Sequence, residues 1–235
     1  MKGNIRENLN RVLDNIREAE LRSGRKEGSV QLVAVSKFHP VSAVVEAYEA
    51  GQRIFGENRV QEAVEKFSEI GKKDIELHLI GSLQRNKVGK ILPYVSCIQS
   101  VDRIELVMEI ERKLSSNSDD QRKTFQNVLM EIHTGEESKS GYTSEKDLFD
   151  SIDYALKSGK VRIQGLMTMA PFTQDENLIR ASFKKLIALQ HQVVSRYPGL
   201  QLPVISMGMS NDYKIAIEEG STMVRIGTAI FGTRE

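Results

Sequence analysis

The sequence predicts an α/β protein that folds as one closed barrel of eight parallel strands, each followed by a helix, with an extra helix at the N-terminus. Short apolar segments alternate with amphipathic helical patterns along the chain. There are eight such segments, and the 235 residues are close to the roughly 250 that a (β/α)8 barrel uses. A doubly wound open sheet is the alternative, but the count of eight favours the barrel. We expect residues 1–235 to form a single domain.

The first element is an amphipathic helix over the opening stretch MKGNIRENLNRVLDNIREAE. This stretch lacks the continuous apolar centre of a signal peptide. No apolar run in the chain approaches the roughly 20 residues that cross a bilayer. We therefore expect a cytoplasmic protein without a membrane anchor.

The strands follow in order as short runs of β-branched and other apolar residues. They are predicted at residues 32–36, 53–55, 76–80, 95–99, 125–133, 161–167, 203–207 and 223–226. The amphipathic stretches between them often open with Ser, Asp or Asn and close with Gly, as helices do. One polar stretch, residues 115–123, is predicted to be a surface loop that divides no domain.

Composition excludes several classes of protein. The net charge of +1 gives no basic surface for nucleic acid or an anionic membrane. The single cysteine, Cys97, allows no internal disulfide. The four histidines (His39, His78, His133 and His191) lack metal-ligand spacing, so we expect no metal site.

Lys37 is the first candidate functional residue, because it ends the first predicted strand. In a parallel barrel the carboxyl ends of the strands carry the chemistry. An ammonium group beside apolar surface pays a desolvation cost that lowers its pKa from about 10.4. Such a lysine is a candidate for Schiff-base formation. The alternative is a rim lysine paired with a carboxylate.

Two late strand ends have the features of an anion site. In SMGMSNDYKIAIEEG, a glycine and two serines, Ser206 and Ser210, lead into a helix, and in VRIGTAIFG, Gly227 and Thr228 follow the last strand. Backbone N–H groups at helix starts bind phosphate, and barrels commonly hold one after strands seven and eight. The alternatives are ordinary capping by Ser210 and a tight turn at Gly227.

A Schiff-base lysine, a phosphate site and Arg225 on the last strand together describe a pyridoxal phosphate (PLP) site. The segments AVSK, FGENRVQE, HLIGSLQRNK, GEESKSG, GLMTMAP and SMGMSNDYKIAIEEGSTMVRIGTAIFG resemble the signature segments of the pyridoxal phosphate homeostasis protein family, also called the YggS/PROSC proteins. The resemblance runs from about residue 31 to residue 232. It implies a barrel similar to the N-terminal domain of alanine racemase.

The same resemblance assigns roles to individual residues. PLP would be held as an aldimine on Lys37, and the loop that contains Lys139 would take part in cofactor handling. The other cofactor-binding residues implied are Asn58 beside the ring, Arg225 at the pyridine nitrogen, and Ser210, Gly227 and Thr228 at the phosphate, with Ser206 nearby. A permanent cation at the ring nitrogen disfavours its protonation and makes PLP a poorer electron sink. The alternatives are a rim salt bridge between Arg225 and a residue such as Glu57, and a solvated Lys139.

Three functions remain open. The first is a PLP-binding protein of vitamin B6 homeostasis without dedicated catalysis, which meets apo-enzymes transiently. The second is a PLP-dependent racemase of low activity, and the third is a class I aldolase in which Lys37 attacks a sugar phosphate. Racemisation needs an acid/base group on each face, and alanine racemase takes one from a second domain. The sequence ends three residues after Gly232, so we expect no such domain, no dedicated activity and a monomer.

Overall fold

The structure is a computed structural model that describes residues 4–71, 74–116, 123–135 and 140–233. Within these ranges, eight strands pair in parallel, each with the next along the chain, and the first pairs with the eighth. The closed pairing confirms the predicted barrel and excludes an open sheet. No helix in the described part of the chain is long and apolar enough to cross a membrane.

The predicted strands are all present, and their bounds shift by at most a few residues. The strands are β1 Gln31–Val35, β2 Ile54–Glu57, β3 Glu76–Leu79, β4 Cys97–Val101, β5 Gln126–Glu131, β6 Val161–Met167, β7 Val204–Ser206 and β8 Met223–Ile226. The bounds of β6 and β8 match the prediction. The start of β4 lies two residues later than predicted, because Val95 packs in the turn that precedes the strand.

The helices cover the outside of the barrel. They are α1 Ile5–Arg22, α2 Val41–Glu49, α3 Val60–Ile70, α4 Val88–Ile91, α5 Ile104–Ser115, α6 Glu145–Ser158, α7 Glu176–Arg196, α8 Tyr213–Glu218 and α9 Thr228–Phe231, with a 3₁₀ turn at Arg85–Lys87. Ser115 ends α5, and most of the predicted loop at 115–123 lies outside the described residues.

The extra N-terminal helix closes one side of the barrel. Ile5, Leu9, Val12, Ile16 and Ala19 are buried at spacings of three and four, which is the apolar stripe of a surface helix. The stripe packs with side chains of α2, α8 and α9 in one core cluster. The helix is therefore part of the fold and holds the elements that follow β1, β7 and β8.

Candidate functional site

A cavity of about 600 Å³ lies at the carboxyl ends of the strands. This volume is in the range of small-molecule sites, about 300–1,000 Å³. The lining includes six of the seven residues predicted to bind a cofactor: Lys37, Asn58, Ser210, Arg225, Gly227 and Thr228. The seventh, Ser206, is fully buried behind Arg225 and is not part of the lining. The structure thus brings six predicted residues to one cavity, and their roles stay predictions.

Lys37 is half-buried in the turn after β1. A buried ion pair between Lys66 and Glu57 supports this turn. The Lys66 ammonium donates to the Ser36 carbonyl at 2.8 Å and to Glu57 Oε1 at 2.6 Å. The Ser36 hydroxyl donates to the same Glu57 oxygen at 2.7 Å. Lys66 and Glu57 are only 6% and 0% exposed, so three hydrogen bonds fix the end of β1 in a dry environment.

Phe38, the next residue after Lys37, has a strained backbone. Its φ of 67° lies in the left-handed region, which is rare for a bulky side chain and costs roughly 1–3 kcal/mol. Glu62, in the first turn of α3, accepts a hydrogen bond from the Phe38 N–H and one from Lys66 at 3.0 Å. The Arg59 guanidinium lies over the Phe38 ring, 5.1 Å from its centroid. These contacts hold the turn in one conformation.

Burial also affects the titration of Glu57. Desolvation raises the pKa of the Glu57 carboxyl, and the hydrogen bond and charge of Lys66 oppose this rise. Glu57 Oε2 is buried without a hydrogen-bond partner among the described residues. The predicted alternative for Arg225, a rim salt bridge with Glu57, is absent from the described contacts, because Glu57 pairs with Lys66 instead.

Asn58 follows β2 and reaches the cavity beside a closely packed glycine. A Cβ at Gly81 would lie 2.3 Å from the Asn58 carbonyl oxygen, so only glycine allows the loop after β3 to pass there. The Ser100 hydroxyl donates to the Gly81 carbonyl at 2.7 Å and holds this loop in place. Gly81 therefore sets the position of Asn58.

Arg225 lies on β8 and lines the cavity. Its Nη1 donates to Ser206 Oγ at 2.6 Å and its Nη2 donates to the Thr168 carbonyl at 2.8 Å. Burial lowers the pKa of Arg225 to about 10, opposed by the charges of Glu131 and Asp212, so the guanidinium is cationic at neutral pH. Arginine has five N–H donors and no acceptor. A group that meets Arg225 in the cavity must therefore accept a hydrogen bond.

The loops after β7 and β8 present backbone N–H groups to the same cavity. No described residue accepts a hydrogen bond from the backbone N–H of Ser210, Asn211, Gly227 or Thr228, and all four residues line the cavity. A Cβ at Gly227 would lie 3.0 Å from the Val35 carbonyl oxygen, so a side chain would crowd this position. Backbone N–H groups of this kind, in loops that lead into helices, can bind an anion such as phosphate.

The predicted alternative for Ser210, ordinary helix capping, is wrong. Helix α8 begins after Asp212, two residues beyond Ser210. Asp212 Oδ1 accepts from the Met209 N–H at 2.6 Å and closes the loop that carries Ser210. Ser210 therefore lies in the loop before α8 and lines the cavity.

Sequence reasoning missed the supporting residues and the apolar lining. Glu62 and Lys66 were detectable as an i, i+4 pair on one helix face. The apolar side chains that line the cavity include Val35, Ile80, Met169, Phe172 and Met209. Phe172 is 85% exposed although it lines the cavity. Lys139 lies outside the described residues.

Comparisons with known proteins give consistent results. Residues 8–235 match the family model of the alanine racemase N-terminal domain. A pyridoxal phosphate homeostasis protein of Aquifex aeolicus is 39% identical over 232 residues, which cover 99% of each chain. A protein of the same name from Escherichia coli (strain K12) is 36% identical over 238 residues, covering 98% of this chain and 97% of that protein.

Solved structures show the same barrel. PipY of Synechococcus elongatus PCC7942, solved with PLP bound, is 36% identical with a TM-score of 0.80, and the match covers 93% of this chain and 99% of PipY. Alanine racemase of Bacillus anthracis has a TM-score of 0.72 at 16% identity, covering 96% of this chain and 56% of the racemase. This second likeness concerns the fold alone.

Proposed function

Because the chain belongs to the pyridoxal phosphate homeostasis protein family, we propose that it binds pyridoxal 5'-phosphate in the cavity above the barrel and takes part in PLP homeostasis. The observation that carries the proposal is the convergence of six predicted residues on one cavity of about 600 Å³. When bound, PLP supplies an aldehyde that reacts with primary amines and a pyridine ring that can withdraw electrons.

The residues of the cavity suit the phosphate, the aldehyde and the pyridine ring of this cofactor. The backbone N–H groups of residues 210, 211, 227 and 228 would hold the phosphate, and the Ser210 and Thr228 side chains lie in the same lining. Asn58 would lie beside the ring. Lys37 would hold the aldehyde carbon covalently, because it is the primary amine that the structure describes in this lining.

The charge of Arg225 favours a role in binding the cofactor over a role in catalysis. Its guanidinium only donates hydrogen bonds and stays cationic at neutral pH, so it would meet the pyridine nitrogen in its unprotonated form. An unprotonated ring withdraws electrons weakly. We therefore propose a carrier without a dedicated catalytic activity. The single PLP-binding barrel over residues 1–235 would act as a monomer in the cytoplasm and meet apo-enzymes transiently.

Racemisation at low rate is the second candidate, and one observation favours it. His39 lines the cavity together with Lys37, so two groups able to exchange protons lie near one ligand. The His39 ring packs against Phe231 at 5.2 Å between centroids. The class I aldolase alternative has no comparable support, since an aldolase mechanism gives Arg225 no role.

A titration with PLP tests the binding proposal. Wild-type protein should develop the absorption band of a Schiff base at one equivalent of PLP, and Lys37→Ala should retain only the absorption of free PLP. Lys90→Ala removes an exposed lysine of α4 and is the matched control, which should behave like the wild type. A Lys37→Ala protein with an unchanged band would refute covalent binding at this residue.

Deuterium exchange separates the carrier from the racemase. The PLP-loaded protein is incubated with L-alanine in D₂O, and exchange of the Cα proton is followed by NMR. A carrier should exchange no faster than free PLP. Faster exchange that is lost in His39→Gln would establish the racemase instead.

A further inference from the structure

A chain of buried side chains crosses the barrel interior behind Arg225. It runs from Arg225 on β8 through Ser206 on β7 and Gln99 on β4 to His78 on β3. The donor–acceptor distances are 2.6 Å from Arg225 Nη1 to Ser206 Oγ, 2.7 Å from Ser206 Oγ to Gln99 Oε1, and 2.8 Å between Gln99 Nε2 and His78 Nδ1. All four residues are at most 5% exposed.

The hydrogen bonds of this chain run in one direction. Arg225 can only donate, so Ser206 Oγ accepts and turns its single proton to Gln99 Oε1. The Gln99 amide oxygen is thereby fixed toward Ser206, and its NH₂ group faces His78 Nδ1 and the Met223 sulfur, 3.2 Å away. His78 Nδ1 must then accept, which requires neutral histidine with its proton on Nε2. The burial of His78 also favours the neutral form, because it lowers the pKa of His78 to about 4.

We propose that Gln99, together with Ser206 and His78, positions the Arg225 guanidinium under the cavity. Ser206, which the family resemblance places near the phosphate, accordingly serves the site through Arg225. The part of the inference that concerns the pyridine nitrogen rests on the proposed function.

Gln99 affects the position of Arg225 because a buried polar group without a partner is costly in free energy. Without the Gln99 oxygen, the Ser206 hydroxyl would be a buried donor with no acceptor, which costs about 1–3 kcal/mol. Rotation of the hydroxyl or of the side chain relieves this cost, and either movement weakens the acceptor offered to Arg225. The Thr168 carbonyl alone would then hold the guanidinium, at 2.8 Å from Nη2.

The first test uses the protein without PLP, so it does not depend on the proposed function. NMR of ¹⁵N-labelled protein gives the tautomer of His78 and the side-chain N–H signals of Arg225. The wild type should have the His78 proton on Nε2. In Gln99→Leu the Arg225 signals should shift and exchange faster with water. A wild-type His78 with its proton on Nδ1 would overturn the inference.

Two further variants make the test specific. Gln126 is also a fully buried glutamine, but its amide donates to the carbonyls of Ser96 and Asn127. Gln126→Leu should therefore lower stability and leave the Arg225 signals unchanged. Gln99→Glu keeps an acceptor for Ser206 and loses the donor toward His78. It should restore the Arg225 signals and move the His78 proton to Nδ1.

The second test uses pyridoxal 5'-phosphate labelled with ¹⁵N at the ring. In Gln99→Leu the pyridine ¹⁵N signal should shift and the Kd should rise about tenfold, equivalent to about 1.4 kcal/mol. Gln126→Leu should change neither quantity. If Gln99→Leu fails to fold, Ser206→Ala removes the acceptor of Arg225 directly and should give the same shifts. If Gln99→Leu or Ser206→Ala matches Gln126→Leu in both tests, the inference is overturned.

Discussion

Lys37 and Arg225 follow from the sequence because each ends or interrupts an apolar strand with a charge, and the strand ends of a barrel meet at one rim. The contacts that hold Arg225 across the barrel interior do not follow from the sequence. Gln99 and Ser206 are 107 positions apart, and only the closed barrel brings them into contact. Spacing arguments reach along one helix or strand, so pairs across the interior stay hidden.

Lys66 shows how much a residue that supports the Lys37 turn contributes to stability. Lys66→Met leaves the Glu57 carboxylate buried without its cation, and such a loss costs about 3–5 kcal/mol. The matched control is Lys146→Met, because Lys146 pairs with Asp150 at side-chain exposures of 79% and 49%. The control should cost less than about 1 kcal/mol. Urea unfolding of both variants measures the difference, and equal costs would contradict the role of the buried pair.

His78 gives the protein a defined pH dependence. Its folded pKa of about 4 lies below the unfolded value of 6.5, so the unfolded chain binds the proton first as pH falls. The contribution of His78 to the free energy of unfolding is complete above pH 6.5 and is lost as pH falls toward 4. From pH 7 to pH 5 the loss is about 2 kcal/mol.

The variant His78→Gln isolates this effect, because the glutamine oxygen can still accept from Gln99. Burial raises the folded pKa values of Glu57, Asp102 and Glu131, which act in the opposite direction, and these residues are present in both proteins. Urea unfolding at pH 7 and pH 5 should show the wild type losing about 2 kcal/mol more than the variant. Parallel losses in the two proteins would contradict a neutral buried His78.

At the scale of elements, the predicted strands and helices are confirmed, and the errors lie at the ends. The alternation of apolar runs and amphipathic stretches is a local signal, so it locates each element. The exact end depends on partners in neighbouring strands and turns. Helix α8 shows this, since Asp212 closes the preceding loop on Met209 and the helix begins only at Tyr213.

A substitution at Gly81 tests whether the loop after β3 sets the position of Asn58 in the loop after β2. Gly81→Ala would place a Cβ 2.3 Å from the Asn58 carbonyl oxygen, and the backbone must move to relieve the clash. Such overpacking costs about 1–3 kcal/mol, and the displaced Asn58 should weaken PLP binding. Gly199→Ala is the matched control, because no atom lies within 4 Å of the added carbon.

The control variant should stay within about 0.5 kcal/mol of the wild type and bind PLP normally. Urea unfolding and the PLP titration measure both effects. A Gly81→Ala protein as stable as the control and with the same affinity would show that the contact between the two loops does not set the site.

At the scale of the whole molecule, the architecture explains why distant parts of the sequence form one site. Parallel closure sends all eight strand ends to the same rim, so residues 37, 58, 210, 225, 227 and 228 share one cavity. Helix α1 packs on α8 and α9, the two helices that follow the loops after β7 and β8. The sequence predicts this plan through its count of eight strands, but the volume and apolar lining of the cavity depend on packing.

Peptide mapping after borohydride reduction is the most direct test of the central claim that Lys37 holds PLP in this cavity. Protein is mixed with one equivalent of PLP, reduced, digested and examined by mass spectrometry, with Lys37→Ala in parallel. The account predicts one stoichiometric phosphopyridoxyl group on the peptide that contains Lys37, and none on the variant. Labelling spread over surface lysines, or unchanged in Lys37→Ala, would contradict it.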